Sequence, residues 1–73
     1  MINTYFVEHT DLYGCWVSRY KVKAKSPLGA IQKYSRLTGL SFNFDGVKYC
    51  SQGTCVFIEL WDSFHNELNF EEL

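Results

Sequence analysis

Cys50 and Cys55 form a C-x4-C pair, and Cys15, His9 and His65 are the other side chains able to bind a soft metal or act as a nucleophile–base pair. Zinc needs four convergent ligands at characteristic spacings. A C-x4-C lies at the loose end of that range, and no second CxxC or HxxxH closes the site, so these cysteines read as ordinary buried thiols. A cross-strand disulfide is the other use of the pair, because a hairpin turn is expected between them. Three cysteines cannot all pair within one chain, however, and a reducing setting suits an odd count. A reactive thiolate needs an imidazole or a helix N-terminus beside it, and neither histidine sits in a recognisable motif. Glu8, Asp11, Asp45 and Glu59 are the carboxylates available for acid–base work. The first three fall in or beside turns, where acidic residues are commonplace. Gly39, Gly46 and Gly53 never cluster as a phosphate-cradling loop does. These residues make the chain a non-enzymatic protein with no metal, cofactor or small-molecule substrate.

Charge carries the stronger pattern. The chain has seven Lys and Arg against eight Asp and Glu, a net charge of −1. Six of the seven basic residues (Arg19, Lys21, Lys23, Lys25, Lys33 and Arg36) nevertheless lie between positions 19 and 36. Glu59, Asp62, Glu67, Glu71 and Glu72 make the C-terminal end acidic. On a strand, alternation puts Arg19, Lys21 and Lys23 on one face about 6.6–6.8 Å apart, close to the phosphate spacing of a nucleic-acid strand. Strand lysines also guard sheet edges against aggregation. Dedicated nucleic-acid binders are basic throughout, which this chain is not. The six basic residues are therefore expected to meet an acidic protein surface or a protein–nucleic-acid complex, with nucleic acid itself secondary.

The elements that must hold these residues follow from periodicity. Ile2–His9 reads as a strand and Thr10–Gly14 as its turn. Cys15–Lys25 is a longer strand whose even positions, Trp16, Tyr20, Val22 and Ala24, form an apolar face interrupted by Ser18. Ser26 is an N-cap and Pro27 suits the first helical position. Ala30, Ile31, Tyr34 and Leu37 then make one apolar stripe of a helix over Pro27–Thr38, closed by Gly39. Ser41–Phe44 and Val47–Cys50 flank Asp45-Gly46, a two-residue hairpin signal. Thr54–Trp61 is apolar on both faces and belongs inside the sheet. Asp62–Leu73 is an acidic tail or a short helix capped by Asp62 or Ser63. The expectation is one α+β domain over 1–61 plus the tail 62–73, in ββαβββ order, with a five-stranded antiparallel sheet and the helix on one face.

Seventy-three residues with thirteen aromatics leave some rings partly exposed, since a chain this short buries only about 60% of its unfolded surface. Exposed rings favour a macromolecular interface, which also admits an accessory subunit that assembles through them. The start MINTYFVEHT has neither a basic n-region nor an apolar h-region, and no apolar run approaches the ~20 residues of a membrane span. A cytoplasmic location is expected.

The junction Ala24-Lys25-Ser26, with Ala30, Lys33 and Arg36 behind it, resembles a pattern in small phage-encoded proteins. The ββαβββ order is similar to that of one type I-F anti-CRISPR family. That resemblance implies a curved antiparallel sheet holding one helix and binding to a crRNA-guided surveillance complex in the host cytoplasm. It implies no active site, and basic side chains that occupy a protein surface otherwise holding DNA. Lys25, Lys33 and Arg36 are the contact candidates it supplies, to which the charge pattern adds Arg19, Lys21 and Lys23. The chain departs from that family in its aromatic richness, its three cysteines and its acidic tail. The αβββα portion is also similar to a double-stranded-RNA-binding domain, though without the basic final helix of that class.

Overall fold

The computed structural model describes residues 1–11, 13 and 15–73, with positions 16 and 17 described by backbone alone. Strands β1 (Asn3–Asp11) and β2 (Trp16–Ala24) form an antiparallel hairpin, and helix α1 (Pro27–Thr38) follows. Strands β3 (Asn43–Phe44), β4 (Tyr49–Ser51) and β5 (Thr54–Leu60) then complete the expected α+β arrangement in ββαβββ order. In space the strands run β3-β4-β5-β1-β2-β6, where β6 (Glu71–Glu72) is a sixth strand that sequence reading did not anticipate. All pairings are antiparallel except β2 with β6. As its two apolar faces require, β5 lies inside the sheet, between β4 and β1.

The helix has the expected bounds for the expected reasons. Ser26 Oγ accepts the Gly29 N–H at 3.1 Å, and Pro27 needs no partner for a missing donor. Gly39 adopts φ 76° and donates its N–H to the Ser35 carbonyl at 2.8 Å, the left-handed stop that glycine adopts most readily. Ala30, Ile31 and Tyr34 pack on Tyr5, Val7, Val22, Ala24 and Val56, which together form the core. Val22 has no exposed surface, so the apolar even positions of β2 face the helix. Ser18 interrupts that face because its hydroxyl shares a 2.9 Å hydrogen bond with the Tyr34 hydroxyl. Trp16, assigned to the same face, has its side chain outside the described residues. Leu37 departs from expectation, remaining 49% exposed. The buried stripe ends one turn before the helix does.

Two connections differ from the sequence reading. Asn43 pairs with Cys50 and Phe44 with Tyr49, so Asp45–Lys48 is a four-residue loop rather than a two-residue Asp45-Gly46 turn. The Asp45 carboxylate explains the wider loop: it accepts the N–H groups of Val47 and Lys48 at 2.9 and 2.8 Å and also binds the Lys48 ammonium. The tail takes the short-helix alternative with Asp62 as its cap, the 3-10 turn Ser63–Glu67, and it then adds a strand, β6, that was not expected. Leu73 N–H donates to the Lys21 carbonyl at 3.0 Å, so the outer edge of β2 supplies the partner that orders the chain end. A two-residue strand leaves no alternation to detect, which is why a five-stranded sheet was expected. The final helix of a double-stranded-RNA-binding domain is thus replaced by a turn and a strand. Among the described residues, no helix is long and apolar enough to cross a membrane.

Candidate functional site

Strand β2 presents its basic residues on the sheet face opposite α1, as alternation requires, but the structure divides them. Arg19 lies directly across from Glu8 in the β1–β2 register and pairs with it at 2.8 Å, the two side chains 18% and 26% exposed. The Lys21 ammonium sits 4.9 Å from the Trp61 ring centroid and 5.9 Å from that of Phe70, a double cation–π contact. Glu71 and Glu72 run alongside Tyr20 and Lys21 in parallel register. Arg19 is therefore engaged by β1, and Lys21 by the aromatics and strand of the acidic tail.

The second half is open. Lys23 and Lys25 are exposed, and β6 ends before reaching them. The Lys21 carbonyl accepts from Leu73, and carbonyls two residues apart point the same way, so the Lys23 carbonyl faces the same uncovered edge. The Lys33 ammonium crosses from α1 and donates to that carbonyl. Arg36, three residues on and in the last turn of α1, is exposed beside it. Lys33 and Arg36 on α1 thus border the same β2 edge as Lys23 and Lys25, a flank on which all four are exposed although the Lys23 side chain alternates to the sheet face away from the helix. The rest of the chain carries three basic residues against eight acidic ones, so the flank is the main concentration of positive charge. Of the six basic residues singled out from sequence, the fold gathers these four and engages Arg19 and Lys21 internally.

The cover over Lys21 was not legible in advance. Phe6, 6% exposed, stacks on the His65 ring with centroids 4.1 Å apart, and Phe64 lies 4.0 Å from that ring on its own turn. Trp61 packs on Phe6, His65 and Phe70. His65 is almost wholly buried, and both its ring nitrogens are used. Nδ1 accepts the Asp62 N–H at 2.8 Å, which puts the proton on Nε2, and Nε2 donates to Glu59 Oε1 at 2.9 Å. The spacing of Asp62 and His65 is that of a capping box with histidine in the glutamate position, and this is the one sequence signal the tail offered.

The remaining candidates are dispersed over the described residues. His9 is buried under α1, where its Nδ1 shares a short 2.5 Å hydrogen bond with the Tyr34 hydroxyl. Burial holds the His9 imidazole below its ordinary value and pushes the Tyr34 phenol up, the latter partly offset by its hydrogen bond to Ser18. His9 pairs across the sheet with Val56, and alternation sends the neighbouring Cys55 thiol to the opposite face. Cys50 and Cys55 face each other with sulfurs 3.8 Å apart, while Cys15 is exposed. Burial and then the Cys55 thiol raise the Cys50 thiol above its ordinary value. Among the described residues, no three His, Cys, Asp or Glu side chains cluster so as to hold a metal ion. A shallow cleft of about 320 Å³ opens between α1 and the β3–β4 hairpin, lined by Leu28, Ile31, Phe42, Phe44 and Tyr49 and by the polar but uncharged Gln32, Ser35 and Asn43. The Ser35 hydroxyl in this cleft already donates to the Leu40 carbonyl. Set against known protein families, curated proteins and solved structures, the chain matches none of them.

Proposed function

We propose that this protein is a non-enzymatic inhibitor of the phage type that docks on a bacterial defence complex of the CRISPR–Cas class through the flank formed by Lys23, Lys25, Lys33 and Arg36. One observation carries this reading: four exposed cations border one edge, where α1 meets β2, in a chain whose other charges are three basic against eight acidic. A surface of this kind speeds encounter with an anionic partner over several ångströms, while the acidic remainder disfavours wrapping along a bare polyanion. The class of partner comes from the resemblance of the Ala24–Arg36 segment, and the flank is what such a partner would meet. Arg19 and Lys21, singled out with the other four, serve here as supports for the fold and not as contacts.

The test is an interference assay in cells carrying an active type I-F system, with phage plaquing as the readout. Wild type is expected to restore plaquing, and the Lys33→Glu/Arg36→Glu variant to lose that effect with an unchanged melting temperature. Full inhibition by a variant with all four flank charges reversed overturns the reading. Tight binding of wild type to naked duplex, lost between about 50 and 200 mM salt, moves the function to a small nucleic-acid-binding module. An interface centred on exposed aromatics would instead keep its affinity as salt rises.

A further inference from the structure

The β4–β5 hairpin holds a feature independent of the cationic flank. Ser51 and Thr54 flank the Gln52-Gly53 turn, with Gly53 at φ 74°, and Cys50 and Cys55 are the next pair out. In a two-residue hairpin the residues at the turn exchange hydrogen bonds, so the following pair is a non-hydrogen-bonded one, whose Cα atoms lie about 4.5 Å apart. That spacing lies within the range that a disulfide spans without backbone movement. The two sulfurs already approach to 3.8 Å, and both residues are half-buried, so a small reagent can reach them. Bringing the sulfurs to bonding distance, about 2.05 Å, needs only modest side-chain rotations. The Asp45 carboxylate lies 3.7 Å from Cys50 Sγ, and its own contacts to Lys48 keep it ionised, so it accepts a hydrogen bond from the Cys50 S–H of the resting dithiol.

We infer that Cys50 and Cys55 are a modification site, a preorganised dithiol that closes to a cross-strand disulfide by exchange with a small-molecule disulfide of the glutathione class. One thiolate attacks the reagent, forms a mixed disulfide and expels one reagent thiol. The second thiolate then attacks the protein sulfur of that mixed disulfide, forming the Cys50–Cys55 bond and expelling the second reagent thiol. Two electrons pass from the protein dithiol to the reagent, and the two thiol protons go to solvent or to the departing thiolates. Because the resting Cys50 thiol is held above its ordinary value, the reaction quickens as pH rises. The bond ties β4 to β5 beside Tyr49, which lines the cleft under α1, and leaves the cationic flank untouched.

The full chain is incubated with oxidised glutathione, native and in urea, then quenched by alkylation and mapped by mass spectrometry. The native chain is expected to become lighter by two hydrogen atoms, with Cys50 linked to Cys55 and Cys15 outside the link. The link should form at least tenfold faster than in the unfolded chain, because the hairpin raises the effective concentration of the second thiol. Cys50→Ser and Cys55→Ser should each stop at a glutathione adduct, while Cys15→Ser should behave as wild type. Equal rates in the native and unfolded chains overturn the inference, as does a persistent glutathione adduct on Cys50 or Cys55 of the native wild type.

Discussion

The two faces of the sheet are both closed over a buried histidine, and they are closed by different means. Under α1, His9 meets Tyr34 and Ser18 within a core of aliphatic and tyrosine side chains, and its Nε2 has no partner. On the opposite face His65 stacks on Phe6 with both nitrogens hydrogen-bonded, beneath an irregular turn and a two-residue strand. The helix face is periodic and tolerates unsatisfied polar atoms, His9 Nε2 and, on the same face of the sheet, Thr54 Oγ1. The tail face has little aliphatic area and depends on complete polar pairing and ring stacking. An irregular segment can therefore cover a sheet only where its few polar groups are fully used.

This contrast predicts where each face breaks. Val22→Asp puts a carboxylate under the helix and should destabilise by about 4 kcal/mol in urea melts, the largest effect in the molecule. Phe6→Ala removes the ring beneath His65 and should cost about 3 kcal/mol. It should also quicken hydrogen exchange at Leu68 and Leu73, whose amides donate to His65 and Lys21, while the α1 amides change less. Equal quickening on both faces would show the two covers to be one cooperative unit.

How far each face was legible follows from the same difference. Ser26, Pro27, the Ala30–Ile31–Tyr34 spacing and Gly39 each carry local information, and together they set the helix and the register of β2 beneath it. Nothing local announces that β1 sits between β2 and β5, since that depends on long-range pairing. The tail shows no period, because its order comes from Phe6, Glu59 and the β2 edge, all distant in sequence. The basic block was visible as composition, but its division into an engaged half and an open half was not, since Glu8 across the hairpin engages Arg19 and the tail covers Lys21.

A smaller effect belongs to His9. Burial keeps His9 below its ordinary 6.5, so the unfolded chain takes up a proton that the folded chain refuses. Stability should therefore fall as pH drops from about 6.5 toward the folded value and level off below it. His9→Gln should flatten that part of the pH profile of urea midpoints, and an unchanged slope would mean that another group sets it. Gly29→Ala should work in the opposite direction. The added Cβ would lie 3.4 Å from Ala24 Cβ, ordinary contact, so the variant should gain about 0.5–1 kcal/mol of helix stability. A loss would show that α1 packs more tightly on β2 at this point. Smallest of all, Lys33→Glu with Arg36→Glu should leave stability within about 0.5 kcal/mol, because both side chains are exposed.

The division of the basic residues can be measured without knowing the partner. Brief treatment of the native protein with an amine-acylating reagent, followed by peptide mapping, ranks the lysines by accessibility. Lys23 and Lys25 should react several-fold faster than Lys21, whose ammonium lies against Trp61 and Phe70, and Trp61→Ala should bring Lys21 up to their rate. Lys21 reacting as fast as Lys25 in the wild-type protein would contradict the division on which the cationic flank rests.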